Sequence, residues 1–481
     1  MPKLITKTDL GVAQKNAQRC KKQGIILPTI RQQMHPETIP ADIQARIKPI
    51  GLWDVNPLNL FRITWKNDIS TGLFGKPDYF EIPSEISGVK ARIIGLVGKY
   101  FPTGSHKVGA AYGCLAPRLV SGTFDPDIHK AVWPSTGNYC RGGAFDCALL
   151  NCPAVAILPE EMSSERFAWL RDIGAEVFAT PGCESNVKEI YDKCDELRLD
   201  PHNIILNQFD EMGNPFWHFH VTGNAIQEVF ELEKKPGNRL SGYVSATGSA
   251  GTIAAGDFLK KTYPLMVTTA SEAFECPTLL NNGFGGHRIE GIGDKHIPWV
   301  HNVRHTDAVA AIRDEDCMRL LRLFNDPAGL ALLEKQGVSK DVTANLSLLG
   351  ISSIANLLAA IKQAKYFEYN ENDVIITVFT DSAELYLSRI DEQNAEKGKY
   401  TEMQAALDRE AALKAQYYDN YLELTYQDKK RIHNLKYYTW VEQQGKTYEE
   451  INEQWEPAYW VETFETNLDE LDKAITDFNA M

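Results

Sequence analysis

Three loops concentrate the residue types that do chemistry, and each follows an apolar run. The first, FPTGSHKVGAA (101–111), places Lys107 just after Thr103 and Ser105, either of which can cap a following helix. A cation in a first helical turn opposes the positive end of the helix dipole. That setting is expected to lower the Lys107 pKa and favour a neutral amine able to form a Schiff base. The bland alternative is a lysine that points to water. The second loop, WPSTGNYCRGGA (133–144), offers Ser135, Thr136 and Asn138 at a helix start, where backbone N–H groups can hold a carboxylate or phosphate. The competing reading is an ordinary capped turn. The third, SATGSAGTIAAG (245–256), is a strand, a small-residue turn and a helix. Gly248, Ser249, Ala250, Gly251 and Thr252 would form a cup for a phosphate. A dinucleotide site is the competitor, but the GxGxxG spacing is missing.

Positioning these loops is a job for short, nearly all-apolar strands bounded by Gly, Pro or Asn. VKARIIGLVG (89–98), KAVWPS (130–135), PAVAILP (153–159), AEVFATP (175–181), NIILNQF (203–209), SGYVSAT (241–247) and DVIITVFT (373–380) fit that description. They alternate with the helical stretches 105–119, 140–151 and 163–174, the pattern of buried parallel strands in an α/β fold. Residues 1–85 are proline-rich and read as an arm with helical pieces. Residues 391–481 hold 20 Asp/Glu against 10 Lys/Arg, a balance of −10, together with 14 aromatics. A solvated acidic tail would be poor in aromatics, so this segment should fold as helices and pack on its own core or on a second subunit.

The 481 residues carry a net charge of −14, which excludes a generally basic nucleic-acid footprint. The first residues have no apolar secretory core, and the apolar runs fall far short of a bilayer span. The nine cysteines include no CxxC pair and are expected to be reduced and mostly buried, with Cys140 the best functional candidate. No metal site is expected.

Taken together, PTGSHKVGA, STGNYC, AVAILPEEMSSERFAWLRDIGAEVFATPG, NQFDEMGNPFWHFHVTGNAI, SATGSAGTIAAG, IEGIGDKHIP and VFTDSAELYLS resemble, in order over about 90–390, the fold-type II pyridoxal-phosphate enzymes of the cysteine synthase and cystathionine β-synthase family. The resemblance implies a two-lobed α/β core over 86–390, similar to the tryptophan synthase β-chain, with a small lobe near 105–210 and the cofactor, pyridoxal 5'-phosphate, between the lobes. It implies that Lys107 carries the cofactor, that Asn138 meets its ring hydroxyl, that Gly248 to Thr252 hold its phosphate and that Ser382 faces its pyridine nitrogen. Ser135, Thr136, Tyr139 and Gln208 would border the substrate carboxylate. The implied reaction is β-replacement on a small amino acid with a β-leaving group, through aminoacrylate, with a thiol or sulfide as co-substrate. β-Elimination, as in a cysteine desulfhydrase or a serine/threonine dehydratase, is the alternative, and a non-catalytic partner protein is a third. A cytoplasmic homodimer is the family default.

The match departs in places. Val108-Gly109 stands where Asp-Arg is usual after the lysine, and His106 is similar instead to the tryptophan synthase β-chain, though a packing role is the simpler expectation for it. Tyr139 and Cys140 replace Thr and Gly, and Ala250 replaces Gly. Tyr139 is expected to put bulk and a hydroxyl beside the substrate carboxylate. The arm and the tail have no counterpart in a minimal cysteine synthase.

Overall fold

The computed structural model describes residues 3–135, 137–183, 185–292 and 295–481. Two sheets organise it. The larger has seven strands in the order Tyr421–Glu423, Ala308–Ile312, Val267–Ala273, Arg239–Ala246, Asp373–Phe379, Arg92–Val97 and Tyr79–Ile82. Its five central strands are parallel and its two edge strands antiparallel. The smaller sheet is fully parallel, in the order Glu176–Thr180, Ala154–Pro159, Lys130–Pro134 and Asn203–Ile205.

The apolar composition of these strands follows from burial on both faces. Asp373–Phe379 is buried at every position, and it pairs with Arg92–Val97 on one side and Arg239–Ala246 on the other. The central strands Val267–Ala273 and Ala308–Ile312 escape the sequence criterion. VTTASEA is too polar for it, and AVAAI too short and alanine-rich. Each site loop follows the carboxyl end of a parallel strand: Lys107 after Val97, Ser135 after Pro134, Gln208 after Ile205, Gly248 after Ala246 and Ser382 after Phe379. In open α/β sheets ligands bind at those ends.

Two helices bring the first two loops together. Lys107–Ser121 packs on Asn138–Leu149, and Gly142 lets them meet: a Cβ there would lie 2.7 Å from Val108 Cα.

The expected boundary of the arm at residue 85 falls beyond a strand of the large sheet, Tyr79–Ile82, so the arm runs directly into the core. The tail is mostly helical as expected, and it also adds the edge strand Tyr421–Glu423, which pairs with Ala308–Ala310. Half of its aromatics, Tyr400, Tyr421, Trp440, Tyr459, Trp460, Phe464 and Phe478, are buried in this chain's own core, while Tyr417, Tyr418, Tyr426, Tyr437, Tyr438 and Tyr448 are exposed. Trp440 packs in one cluster with Val187, Tyr191, Phe209 and Trp299, and its indole donates to Ile297 O at 2.8 Å. The final helix, Pro457–Ala480, clasps the arm: Asp472 accepts from the Ile30 N–H at 2.7 Å, and Asn467 from that of Leu4 at 3.0 Å. No single helix among the described residues is long and apolar enough to cross a membrane.

Candidate active site

Lys107 is the first residue of its helix, and its Nζ donates to Ser249 Oγ at 3.0 Å, across 142 residues of sequence. Ser249 Oγ also accepts from Asn214 Nδ2 at 3.1 Å, and the same amide donates to Gln208 O at 2.8 Å. Two donors therefore converge on the Ser249 oxygen, and these contacts leave its own proton for a further acceptor. Gly251 closes on the same amide, because a Cβ there would sit 2.0 Å from Asn214 Oδ1. Ala250 holds φ +56°, a strained value for alanine that curls the turn into a cup. Gly248 faces Gly291 O, 2.9 Å from where a Cβ would be.

Thr252 differs from Ser249. Its Oγ1 lies 3.1 Å from His106 Nε2 and its carbonyl accepts from the Tyr243 hydroxyl at 2.8 Å. His106 is buried and stacks on Trp65 at a centroid distance of 5.5 Å, in keeping with the packing role expected for it. Burial first, then the Lys107 charge, pushes its pKa down to about 3, so it is neutral at physiological pH.

Asn138 opens the helix Asn138–Leu149 after Gly137, whose φ of +147° only glycine adopts readily. Its Nδ2 donates to Asp381 Oδ2 at 2.6 Å, and its Oδ1 is buried without a hydrogen-bond partner among the described residues. Asp381 also accepts from the Tyr386 hydroxyl at 2.6 Å, and that hydroxyl accepts from Arg166 at 2.9 Å. Arg166 pairs with Glu290 at 3.3 Å, and Glu290 with Arg389 at 2.7 Å. Burial raises the Asp381 pKa, against the lowering effect of these donors.

Ser382, next to Asp381, is buried beyond the end of Asp373–Phe379. Ser135 Oγ accepts from the Gly137 N–H at 2.9 Å, which shapes the turn. Gln208 is buried in the loop after Asn203–Ile205. Thr136, expected at the substrate carboxylate, lies outside the described residues.

Two expectations are corrected. Tyr139 is 1% exposed, and its hydroxyl donates to Leu206 O at 3.2 Å while its ring packs edge-on against Trp133. The second position of the helix faces the lobe's interior, so the phenol is a core group and does not border the substrate. Cys140 is fully buried, its thiol donates to Gly137 O at 2.9 Å, and burial pushes its pKa up to about 12, which removes it as a nucleophile. All nine cysteines are free thiols.

Asn214, Asp381, Tyr386 and Arg166 were not anticipated as site residues. The one sequence signal was their place inside the segments that carry the resemblance. The observed features suit a phosphorylated pyridine aldehyde: an amine at a helix start, a serine proton available beside it, a glycine cradle closed by the Gly291 carbonyl and the Asn214 amide, and a buried amide oxygen without a partner among the described residues. The fold and site therefore define a fold-type II α/β enzyme built to hold pyridoxal 5'-phosphate.

Comparison with known proteins agrees. Residues 99–381 match the family described as "Pyridoxal-phosphate dependent enzyme", and the chain belongs to that family. Cysteine synthase of Staphylococcus aureus is 31% identical over 288 residues, covering 60% of this chain and 84% of its own. Cystathionine beta-synthase of Saccharomyces cerevisiae is 27% identical over 315 residues, 63% of this chain and 58% of its own. Among solved structures, the O-acetylserine dependent cystathionine beta-synthase from Helicobacter pylori superposes with a TM-score of 0.55 and 25% identity, over 65% of this chain and 95% of its own. The chain is a pyridoxal-phosphate enzyme acting on amino acids, and β-replacement or β-elimination is its chemistry at family level.

Proposed function

We propose that the chain catalyses β-replacement on a small amino acid with a β-leaving group, with a thiol or sulfide as the incoming nucleophile. The cofactor site on which this reading stands is carried by the Lys107–Ser249 contact at 3.0 Å, which joins an amine to the serine of the phosphate cup. Relatives named cysteine synthase support the replacement outcome. Bound pyridoxal phosphate supplies an electron sink that makes the substrate Cα–H acidic.

The chain's own groups do the rest. Lys107 is the attachment point, and its amine, once freed, takes the Cα proton and later returns one. Ser249 steers Nζ by accepting from it and would offer its own proton to the phosphate. Asn138, held by Asp381, would face the ring hydroxyl. Ser382 would offer the ring nitrogen a hydroxyl instead of a carboxylate, which does not enforce full protonation. Ser135, Thr136 and Gln208 receive the substrate carboxylate.

The test is product analysis of the cofactor-loaded protein with O-acetyl-L-serine, L-serine or L-cysteine, each with and without sulfide. Cysteine formed only when sulfide is present supports replacement. Pyruvate and ammonia without sulfide would move the assignment to elimination. A protein that holds the cofactor yet turns over none of these would overturn the substrate class.

A further inference from the structure

A chain of buried hydrogen bonds leads from the N-terminal arm to the phosphate cup. Trp65 Nε1 lies 3.0 Å from Thr222 Oγ1, Thr222 Oγ1 is 2.9 Å from His218 Nδ1, His218 Nε2 is 3.5 Å from Thr252 Oγ1, and Thr252 Oγ1 is 3.1 Å from His106 Nε2. His106 Nδ1 ends the chain, 3.4 Å from Thr380 O. Every member is buried. His218 and Thr222, four residues apart, share one face of a helix that widens to a π-turn over His218–Thr222, a feature frequent at functional sites.

The direction of the chain follows from its His106 end. A carbonyl only accepts, so His106, neutral through burial, carries its proton on Nδ1, and its Nε2 accepts from Thr252. The Thr252 hydroxyl proton is thereby committed to His106, so His218 Nε2 donates to Thr252, and the Nδ1 of this neutral imidazole accepts from Thr222. An indole nitrogen only donates, so Thr222 in turn accepts from Trp65. Ser249 and Thr252 thereby divide the cup. Ser249 has a side-chain proton available for an anion, while Thr252 serves as wall and backbone.

We propose that Trp65 is a positioning residue for the cofactor's phosphate site, acting on Thr252 through Thr222 and His218 and on His106 by stacking. The proposal rests on the reading of Ser249–Thr252 as the phosphate cup. It makes the arm, which lies outside residues 99–381, part of the cofactor site.

The test uses the full chain loaded with pyridoxal 5'-phosphate and reads two quantities besides turnover: the cofactor dissociation constant by equilibrium dialysis, and the phosphorus-31 resonance of the bound phosphate. Trp65→Phe keeps an aromatic ring on His106 and deletes the donor. Thr222→Val deletes the hydroxyl at near-constant shape, and Thr222→Ser keeps it. Tyr112→Phe removes a different buried bond to the arm, 2.6 Å to Pro28 O, and serves as the control. Trp65→Phe and Thr222→Val are expected to weaken cofactor binding about three- to tenfold, the worth of one neutral hydrogen bond, and to move the resonance. Thr222→Ser and Tyr112→Phe are expected to match the parent. Should Trp65→Phe fail to fold, Thr222→Val and its serine rescue decide. Parent-like values for Thr222→Val overturn the proposal, as does an equal change in Tyr112→Phe. A parent protein whose only resonance is that of the free cofactor overturns the cup reading itself, and this inference with it.

Discussion

Asn138 and Asp381 meet at 2.6 Å across 243 residues, joining the start of a small-sheet helix to the end of a large-sheet strand. The bond fixes the amide expected to face the cofactor ring. The same carboxylate accepts from Tyr386. Asp381→Ala leaves two buried donors without an acceptor and is predicted to cost about 2–3 kcal/mol in chemical denaturation. Cofactor affinity should fall with it. Asp381→Asn, which keeps one acceptor oxygen, should lose less of both.

Gly142 sets the distance between the Lys107 helix and the Asn138 helix. A Cβ at this position would meet backbone on both neighbours, 2.7 Å from Val108 Cα and 3.0 Å from Lys107 C. Backbone cannot rotate away, so the helices must part. Gly142→Ala is predicted to destabilise by about 1–3 kcal/mol. It should also depress kcat more than KM, because the displaced element carries the lysine. Unchanged kcat in the purified variant would contradict this.

The tail is structural. Trp440 is fully buried and packs with Val187 and Tyr191 of one helix and with Phe209 and Trp299 of two loops. Trp440→Ala is predicted to cost about 3–5 kcal/mol, read from urea midpoints. A cost below about 1 kcal/mol would show that the tail merely lies on the surface.

Buried neutral histidines set the acid limit of stability. Burial pushes His106, His296, His301 and His433 down to about 3 and His220 to about 4. Their unfolded values are near 6.5, so the unfolded chain binds more protons below that pH. The stability they confer is complete above about 6.5 and is lost as the pH falls toward 3–4, at up to roughly 1.4 kcal/mol per group per pH unit. Burial raises Asp210 to about 6 and Glu272 to about 8, which acts the other way: their contribution is present at low pH and lost as the pH rises through those values. Thermal stability should therefore fall away on the acid side of neutrality. His433→Gln, which can keep the donor to Ile451 O, should flatten that limb. An unchanged acid slope in the variant would contradict the assignment.

The strand ends that carry Lys107, Ser135, Gln208, Gly248 and Ser382 were legible because each sits at a local change of composition, from an apolar run to small or polar residues. The partners that orient them were not. Lys107–Ser249, Asn138–Asp381 and Trp65–Thr222 are separated by 142, 243 and 157 residues, and no spacing rule reaches that far. Tyr139 was misplaced because a loop motif does not say which way the second helical residue faces. The tail's edge strand, Tyr421–Glu423, has three residues and no alternation to read.

The central claim is that Lys107 carries the cofactor. Reducing the loaded protein with borohydride and mapping its peptides by mass spectrometry tests this directly. The account predicts a single pyridoxyl-phosphate adduct, on Lys107, that disappears in Lys107→Ala together with turnover. An adduct on another lysine, or full turnover in Lys107→Ala, would contradict it.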